Sequence, residues 1–411
     1  MATLTEEKKP FRVMRTLRSP QQDPSAKRKK RRRPPRWLLI LAGALVLAGM
    51  VAASVLAAAG PVGRSNLTDS LRSLGRRGGA FPLPSGRAGI LAAAQPGNSV
   101  ALLSRTVLEV YANSGVQTLH QLHNYGSPVL RERGGRLLLF DRDSGQYALL
   151  SKTAELRSGV LPQNLLAGDL NRRGSVALAS LADGALSEAV ALDREGKELF
   201  SWSSKKEYIA DLSLGDDDGS LALLLTGTEQ AGLYSRLVAF TFGREEPTVD
   251  LRYDHTWLLR LEPLAQGGWI AVGEEMLTVI GKDGKKQDFS YDGRTLDGVS
   301  AWEGKLLAVL LRDWGRDRSL LRLYGPDGVL LQEQAFPQRV LGISCAGGKV
   351  HLRLEDRVLR LGRDGVFLQS QPLPAGTQDV LVAGRTVYAL TVNEVEKFRT
   401  DWTEAEAATL G

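Results

Sequence analysis

Short apolar runs separated by polar turns fill the chain from about residue 80 onward, and helical periodicity is absent from the pattern there. The runs are rich in Val, Leu, Ile and Tyr, and Gly, Asp and Asn lie between them, as is typical of β-strands joined by tight turns. We therefore predict an all-β domain at residues 80–411.

One unit recurs along this domain: an apolar strand, a polar turn that ends in Gly, and a second strand. Copies include LEVYANSGVQTL, LLFDRDSGQYALL, VALDREGKELFSW and LRLYGPDGVLLQE. The turn glycines are Gly115, Gly145, Gly196, Gly243, Gly284, Gly328 and Gly365. Their mean spacing of about 42 residues is that of propeller blades. Because Asp-Gly and Ser-Gly permit the positive φ of a two-residue hairpin turn, we interpret each copy as the outer hairpin of a blade.

The segments between these hairpins supply the remaining strands of each blade. SAWEGKLLAVLL, for example, contains two further apolar strands, so each unit has the four strands of a propeller blade. An eighth unit, DVLVAGRTVYALTVNEVEKF, contains three strands, and residues 80–83 could supply the fourth. Such sharing would close the ring and remove its open sheet edges. We favour a β-propeller of eight blades, with seven as the alternative.

An uncharged apolar segment at residues 37–59 is long enough, as a helix, to cross the ~30 Å hydrocarbon core of a bilayer. Eight Lys or Arg residues lie just before it at 27–36, so the positive-inside rule predicts a cytoplasmic N-terminus. A cleaved signal peptide is the alternative, but both the apolar run and the residues ahead of it are long for one.

Four regions follow from this pattern. We expect a disordered basic cytoplasmic tail at 1–36, a transmembrane helix at 37–59, a stalk at 60–79 and an extracellular propeller at 80–411, held at the cell membrane. The tail holds 13 of the 53 Lys and Arg residues and 3 of the 46 Asp and Glu residues, so it accounts for the whole net charge of +7. Such a stretch is attracted to anionic lipid headgroups. We expect membrane lipid as its partner and no nucleic-acid binding.

Three segments also carry a resemblance: GGAFPLPSG, HNYGSPVLRERGGRLLLFDRDSGQY and FSWSSKKEYIADLSL. With the basic tail and the apolar span, they make the chain similar to the bacterial domain-of-unknown-function family DUF5711, up to about residue 250. The resemblance implies a bacterial cell membrane and an exterior propeller. It brings neither an activity nor a ligand.

Signatures of catalysis and of metal binding are missing from the sequence. None of the four histidines forms a His-x-x-x-His or His-Glu-x-x-His pair, and no nucleophile elbow or phosphate-binding loop is present. The acidic residues 216–218 would suit Ca²⁺, although a turn is the commoner use of such a cluster. The single cysteine, Cys345, is expected to be buried on a strand. We expect no catalytic residue, no metal and no cofactor.

The connectors between blades carry the most informative side chains. They read HNYGSP, SSKKEY, YDHTW, SYDGRT and FPQR, and propeller geometry brings them all to one face of the disc. Aromatic residues beside arginines on loops of a rigid scaffold suit recognition, although Tyr and Trp could instead only cover blade edges. The candidate partner-binding residues are Tyr125, Tyr208, Tyr253, His255, Trp257, Tyr291, Arg294 and Arg339.

These expectations favour a membrane-anchored binding or scaffold module. It would engage an extracytoplasmic protein, peptide or cell-wall ligand through one face of the propeller. An extracytoplasmic enzyme that uses the propeller channel and a transmembrane signalling protein are the alternatives.

Overall fold

The computed structural model describes residues 79–84, 89–230, 232–313, 315–383 and 386–399, together with Asp69. The regular elements of these residues are β-strands, which form eight four-stranded antiparallel sheets. The predicted tail and transmembrane helix lie outside the described residues, as does the predicted stalk except for Asp69 and Gly79. The described residues include no helix that is long and apolar enough to cross a bilayer.

The sheets are the blades of a propeller, and in each of the first seven blades the strands follow one another in chain order. The first strand is β1 (Leu83–Pro84). Blade 1 contains β2 (Ala92–Ala94), β3 (Val100–Leu103), β4 (Val107–Tyr111) and β5 (Gln117–Leu122). Blade 2 contains β6 (Pro128–Arg133), β7 (Arg136–Asp141), β8 (Gln146–Leu150) and β9 (Glu155–Val160). Blade 3 contains β10 (Leu165–Leu170), β11 (Val176–Ala182), β12 (Ala185–Leu192) and β13 (Glu198–Ser204).

The next four blades repeat this order. Blade 4 contains β14 (Tyr208–Leu214), β15 (Ser220–Glu229), β16 (Gly232–Thr241) and β17 (Val249–Asp254). Blade 5 contains β18 (Leu258–Pro263), β19 (Gly268–Gly273), β20 (Met276–Gly281) and β21 (Lys286–Ser290). Blade 6 contains β22 (Thr295–Trp302), β23 (Leu306–Arg312), β24 (Ser319–Tyr324) and β25 (Leu330–Phe336). Blade 7 contains β26 (Gly342–Ala346), β27 (Lys349–Arg353), β28 (Arg357–Leu361) and β29 (Phe367–Pro372).

The eighth blade closes the ring. It contains β30 (Asp379–Ala383), β31 (Thr386–Leu390) and β32 (Glu394–Arg399), and β1 pairs with β32 as its fourth strand. In this pairing Leu83 lies opposite Val395. The prediction of an eight-bladed propeller closed by a segment near residue 80 is confirmed, and the seven-bladed alternative is wrong.

The apolar core of the described residues lies between the blades, with one cluster for each adjacent pair. In β15, Leu221 and Leu223 pack toward blade 3, whereas Ala222 and Leu224 pack toward blade 5. Because successive side chains of a strand point to opposite faces, a strand between two neighbouring blades is apolar at every position. This explains continuous apolar runs such as LALLL.

Serine hydroxyls join three blades to the blade that follows. Each lies on the third strand of its blade and accepts a hydrogen bond from the backbone N–H of a residue near the start of the next blade. The pairs are Ser187 with Ile209 (3.2 Å), Ser235 with Leu258 (3.0 Å) and Ser319 with Val340 (3.0 Å). Ser235 also donates to the carbonyl of Thr256, 2.9 Å away. The connectors are thereby fixed on the sheets that they leave.

The glycine turns are longer than predicted. In the turn after β4, the N–H of Gly115 donates to the carbonyl of Ala112, and the N–H of Ala112 donates to the carbonyl of Val116, each at 2.8 Å. Gly115 has a φ of 84°, and the register shifts by one residue beside it. This is a three-residue loop with a G1 bulge, so the prediction of two-residue turns is wrong. The same bonds recur in the loops that end at Gly196, Gly284, Gly328 and Gly365.

The prediction that every repeat copy is an outer hairpin is wrong for one of the seven copies. Gly145 lies between β7 and β8, which are the second and third strands of blade 2. The outer turn of this blade, at residues 151–154, contains no glycine. A polar turn that ends in Gly serves either hairpin equally well, so the local sequence does not distinguish them. The blade count is unaffected because blade 2 still contains one copy.

Candidate functional site

The antiparallel order of the strands assigns every turn to one of two faces. The connectors between blades share a face with the turns between second and third strands, and we call this the connector face. A hydrogen bond of 2.9 Å from the N–H of His123, in a connector, to the carbonyl of Thr106, in such a turn, is consistent with this assignment. The remaining turns lie on the opposite face.

Two of the predicted partner-binding residues are buried. Tyr253 is 6% exposed, and its hydroxyl contacts the Thr278 hydroxyl at 3.0 Å. Tyr291 is fully buried in the core between blades 5 and 6. Burial raises the pKa of both phenols above the usual value. These two residues are core elements, so their assignment to a contact surface is corrected.

Three further predicted residues are only partly available to a partner. Tyr125 is half-buried, with its ring 5.2 Å from that of His123. Arg294 donates from Nε to Asp313 at 2.9 Å. Arg339 is exposed, and its Nε lies 3.8 Å from a carboxylate oxygen of Asp297.

The remaining three are exposed on the connector face, Tyr208 at the start of blade 4 and His255 and Trp257 in the connector from blade 4 to blade 5. Tyr208 is 45% exposed and Trp257 is 47% exposed. Two leucines that the sequence did not single out, Leu233 and Leu259, are 36% and 40% exposed. We call these five residues the blade 4–5 patch.

A long hairpin explains why the patch forms at this blade. The strands β15 and β16 each have 10 residues, whereas the second and third strands of the other blades have between 4 and 8. Tyr208 lies opposite Thr226, and Thr226 lies opposite Ser235. Leu233, two residues before Ser235, therefore projects from the same sheet face, which is the face that Ser235 turns toward blade 5.

The connector to blade 5 lies against this hairpin. The N–H of His255 donates to the carbonyl of Leu233 at 3.0 Å. A Cβ placed on Gly232 would lie 3.5 Å from Nδ1 of His255, so the imidazole is beside the end of the hairpin. His255 has a φ of 55°, which is uncommon for a residue with a side chain. The hairpin and the connector thus form one continuous surface.

Charged contacts hold the far side of the long hairpin to the outer strand of blade 4. The guanidinium of Arg252 lies 3.8 Å from the centre of the Tyr234 ring and donates to Glu229 and Asp254. The hydroxyl of Tyr234 donates to Glu207 at 3.3 Å. These contacts indicate a projection of defined shape.

A cavity of about 810 Å³ lies on the axis of the propeller. All eight blades contribute to its lining, and the turns among the lining residues belong to the opposite face, so it opens there. Blades 2–5 supply its charged wall, which consists of Arg131, Arg133, Asp169, Asp211, Arg260 and Glu262. Blades 6–8 supply its apolar wall, which includes Ala301, Cys345, Ala346 and Leu381. No local motif marks this site in the sequence, because its residues are separated by whole blades.

The carboxylates of the charged wall link adjacent blades. Asp169 accepts a hydrogen bond from the N–H of Leu214 at 3.0 Å, and Asp211 accepts one from the N–H of Leu261 at 2.9 Å. Asp211 also accepts one from Arg131 at 3.4 Å. Burial outweighs these contacts and raises the pKa of Asp211 to about 6. Burial likewise raises the pKa of Asp169.

Two further acidic residues, Glu132 and Glu303, lie at the mouth of the cavity. Glu132 is accessible to water in the cavity, but the surrounding wall desolvates its carboxylate and raises its pKa to about 7. Arg172 of blade 3 reaches Glu303 of blade 6, with 3.5 Å between the guanidinium and the carboxylate. The same guanidinium donates to the carbonyl of Glu303 at 3.0 Å and lies 3.4 Å from a carboxylate oxygen of Asp216, so Arg172 spans the mouth through several contacts.

Cys345 lies on the innermost strand of blade 7 and lines the cavity, where the sequence predicted a buried strand position. The residue as a whole is only partly buried. Burial raises its pKa to about 12, so at neutral pH the group is a thiol rather than a thiolate.

The acidic residues 216–218 form a turn between β14 and β15. Asp217 accepts hydrogen bonds from Gly219 and Ser220, and Asp218 accepts one from Asn171. The carboxylates are thus engaged in local contacts, as in the turn interpretation. Across the described part of the chain, no three His, Cys, Asp or Glu residues are grouped as metal ligands would be.

Comparison with known proteins identifies a family and a fold. A sequence model described as "Family of unknown function (DUF5711)" matches residues 92–399, so the similarity extends well beyond the predicted limit near residue 250. No curated protein matches the chain.

Several solved propellers are similar in structure. Sqt1 of Saccharomyces cerevisiae has a TM-score of 0.54 and 12% identity, covering 78% of this chain and 98% of its own. The C-terminal WD40 domain of Sif2 has a TM-score of 0.54 and 12% identity, covering 78% and 99%. A eukaryotic initiation factor has a TM-score of 0.53 and 10% identity, covering 80% and 89%. At such identities these likenesses establish the propeller fold alone.

Proposed function

The chain belongs to the DUF5711 family of unknown function, and we propose that its propeller is a scaffold that binds another protein through the blade 4–5 patch. The observation that carries this proposal is the joint exposure of Tyr208, Leu233 and Trp257 beside the long hairpin of blade 4. In protein–protein interfaces, Tyr and Trp are enriched among the few residues that carry most of the binding energy. Loops on a rigid scaffold are common places for such residues.

The shape of the patch also favours a protein partner. The hairpin stands beside the connector that carries His255 and Trp257, so the surface has a raised edge and a floor. Tyr and Trp offer a large contact area with few rotatable bonds, and their binding costs little conformational entropy. The ion pair between Arg252 and Glu229 and the hydrogen bond between Tyr234 and Glu207 lie behind the hairpin.

Photo-crosslinking in intact cells tests this proposal. A photoreactive phenylalanine at position 257 should crosslink to one protein species, and the yield should fall when Tyr208→Ala is added. The same group at Val366 is the control, because Val366 is 58% exposed in an outer turn on the opposite face. Equal crosslinking patterns from the two positions would refute docking at the patch.

We further propose that this scaffold is held at a cell membrane with the propeller outside. The support is the apolar segment at 37–59 and the basic run at 27–36, which also makes anionic lipid the partner of the tail. In a Cys345→Ser background, an impermeant thiol reagent should label a cysteine at Ser65 in intact cells and not one at Ser25. Labelling at position 25 alone would contradict this proposal and indicate the opposite orientation of the chain in the membrane.

A further inference from the structure

The axial cavity opens on the face opposite the blade 4–5 patch, so its role is separate from partner docking. Its volume of about 810 Å³ falls within the range of small-molecule sites, roughly 300–1,000 Å³. One wall is charged and the other is apolar, so a ligand with one charged end and one uncharged end would match both walls.

The charged wall offers more hydrogen-bond donors than acceptors. A guanidinium has five N–H donors, whereas Arg131 makes a single contact of 3.4 Å with Asp211 among the described residues. Arg133 lies 3.6 Å from Asp169, too far for a good hydrogen bond. Asp169 and Asp211, in contrast, each accept a backbone N–H of the next blade at 3.0 Å or less.

We propose that the axial cavity binds a small organic anion, a carboxylate or a phosphate ester, with its acidic group on Arg131 and Arg133. One guanidinium group can hold a carboxylate or a phosphate through two parallel N–H···O hydrogen bonds. The uncharged part of the ligand lies against the apolar wall, beside Cys345 and Leu381.

Acidic groups on the neighbouring strands regulate this site. The groups that face the two arginines are Asp169, Asp211, Arg260 and Glu262 on the wall, with Glu132 and Asp216 at the mouth. Arginine stays charged at every physiological pH, whereas Asp211 and Glu132 have pKa values of about 6 and about 7. The cavity therefore becomes more positive as the pH falls from 8 to 6, and an incoming anion favours uptake of these protons.

Calorimetric titration tests the proposal with succinate, citrate and glycerol 3-phosphate as anionic probes and putrescine as a cationic probe. At least one anion should bind and putrescine should not, and the affinity for the fully ionised form of the anion should be higher at pH 6 than at pH 8. The double variant Arg131→Gln, Arg133→Gln should lose at least tenfold in affinity. Arg339→Gln, which alters a similar long ion pair on the connector face, should bind like the parent.

Protection of Cys345 provides a second readout that needs no substitution, because the chain has a single cysteine. A bound anion should slow modification of Cys345 by a methanethiosulfonate reagent at least threefold. If the double Gln variant fails to fold, Arg131→Lys with Arg133→Lys keeps the charges and removes the paired donors, and it should also bind more weakly.

The proposal is overturned if none of the anions binds at millimolar concentration, or if the Gln or Lys variants bind the anion as tightly as the parent. It is also overturned if a saturating anion leaves the modification rate of Cys345 unchanged. Crosslinking at position 257 reports on the connector face, so failure at either site leaves the other result interpretable.

Discussion

Leu83 lies directly opposite Val395, and both side chains are buried in the cluster between blades 8 and 1. This pair joins the first described strand to the last sheet and closes the ring. Leu83→Ala removes core volume at that closure and should lower the free energy of unfolding by about 2–3 kcal/mol. Urea denaturation measures this change. Val392→Ala, in an exposed turn of the same blade, should change it by less than about 0.5 kcal/mol.

The hydroxyl of Ser235 should make a measurable contribution to the packing of blade 4 on blade 5. The hydroxyl accepts a hydrogen bond from the N–H of Leu258 and donates one to the carbonyl of Thr256. Ser235→Ala leaves both backbone groups without this partner and should cost about 1–3 kcal/mol of unfolding free energy. The exposed Ser201→Ala is the matched control and should be nearly neutral. Equal melting curves for the two variants would contradict a linking role.

Glu132 should destabilise the fold at high pH. Since its folded pKa is raised to about 7, the folded state holds a proton that the unfolded state releases at lower pH. Stability therefore falls as the pH rises from about 4.5 to 7, and below that window the effect vanishes. Glu132→Gln should be more stable than the parent by about 1 kcal/mol at pH 8, after allowance for solvent screening, and equal to it at pH 4. Thermal melts at both pH values measure the difference, and a constant offset would refute this assignment.

Cys345 should react slowly although it faces the cavity. Its pKa of about 12 leaves very little thiolate at pH 8. Alkylation by iodoacetamide should be at least about 100-fold slower in the folded protein than in denaturant. Mass spectrometry follows the reaction. A folded-state rate close to the denatured rate would mean that the thiol is not desolvated.

The repeats in the sequence were sufficient to predict the architecture but not the phase of every hairpin. Alternation and spaced glycines identify blades because both are local features, as at Gly115 and Gly196. Gly145 shows the limit, since the same local turn joins an inner pair of strands there.

The connector residues were predicted with mixed success. Trp257 and Tyr291 occupy equivalent connectors, yet Trp257 is exposed and Tyr291 lies in the core. The direction of a connector side chain depends on the packing of the next blade, which no local pattern records. The contact between Arg131 and Asp211 joins blade 2 to blade 4, so the cavity could be found only from the closed ring.

The affinity of the crosslinked partner for purified propeller variants tests the central claim most directly. Tyr208→Ala with Trp257→Ala should weaken binding by about 2 kcal/mol, roughly 30-fold, because exposed aromatic anchors dominate such surfaces. The melting temperature should hardly change, since both residues are exposed. The matched control, Val329→Ala with Val366→Ala on the opposite face, should bind like the parent. Parent-like affinity of the aromatic double variant, or equal losses in both variants, would contradict the account.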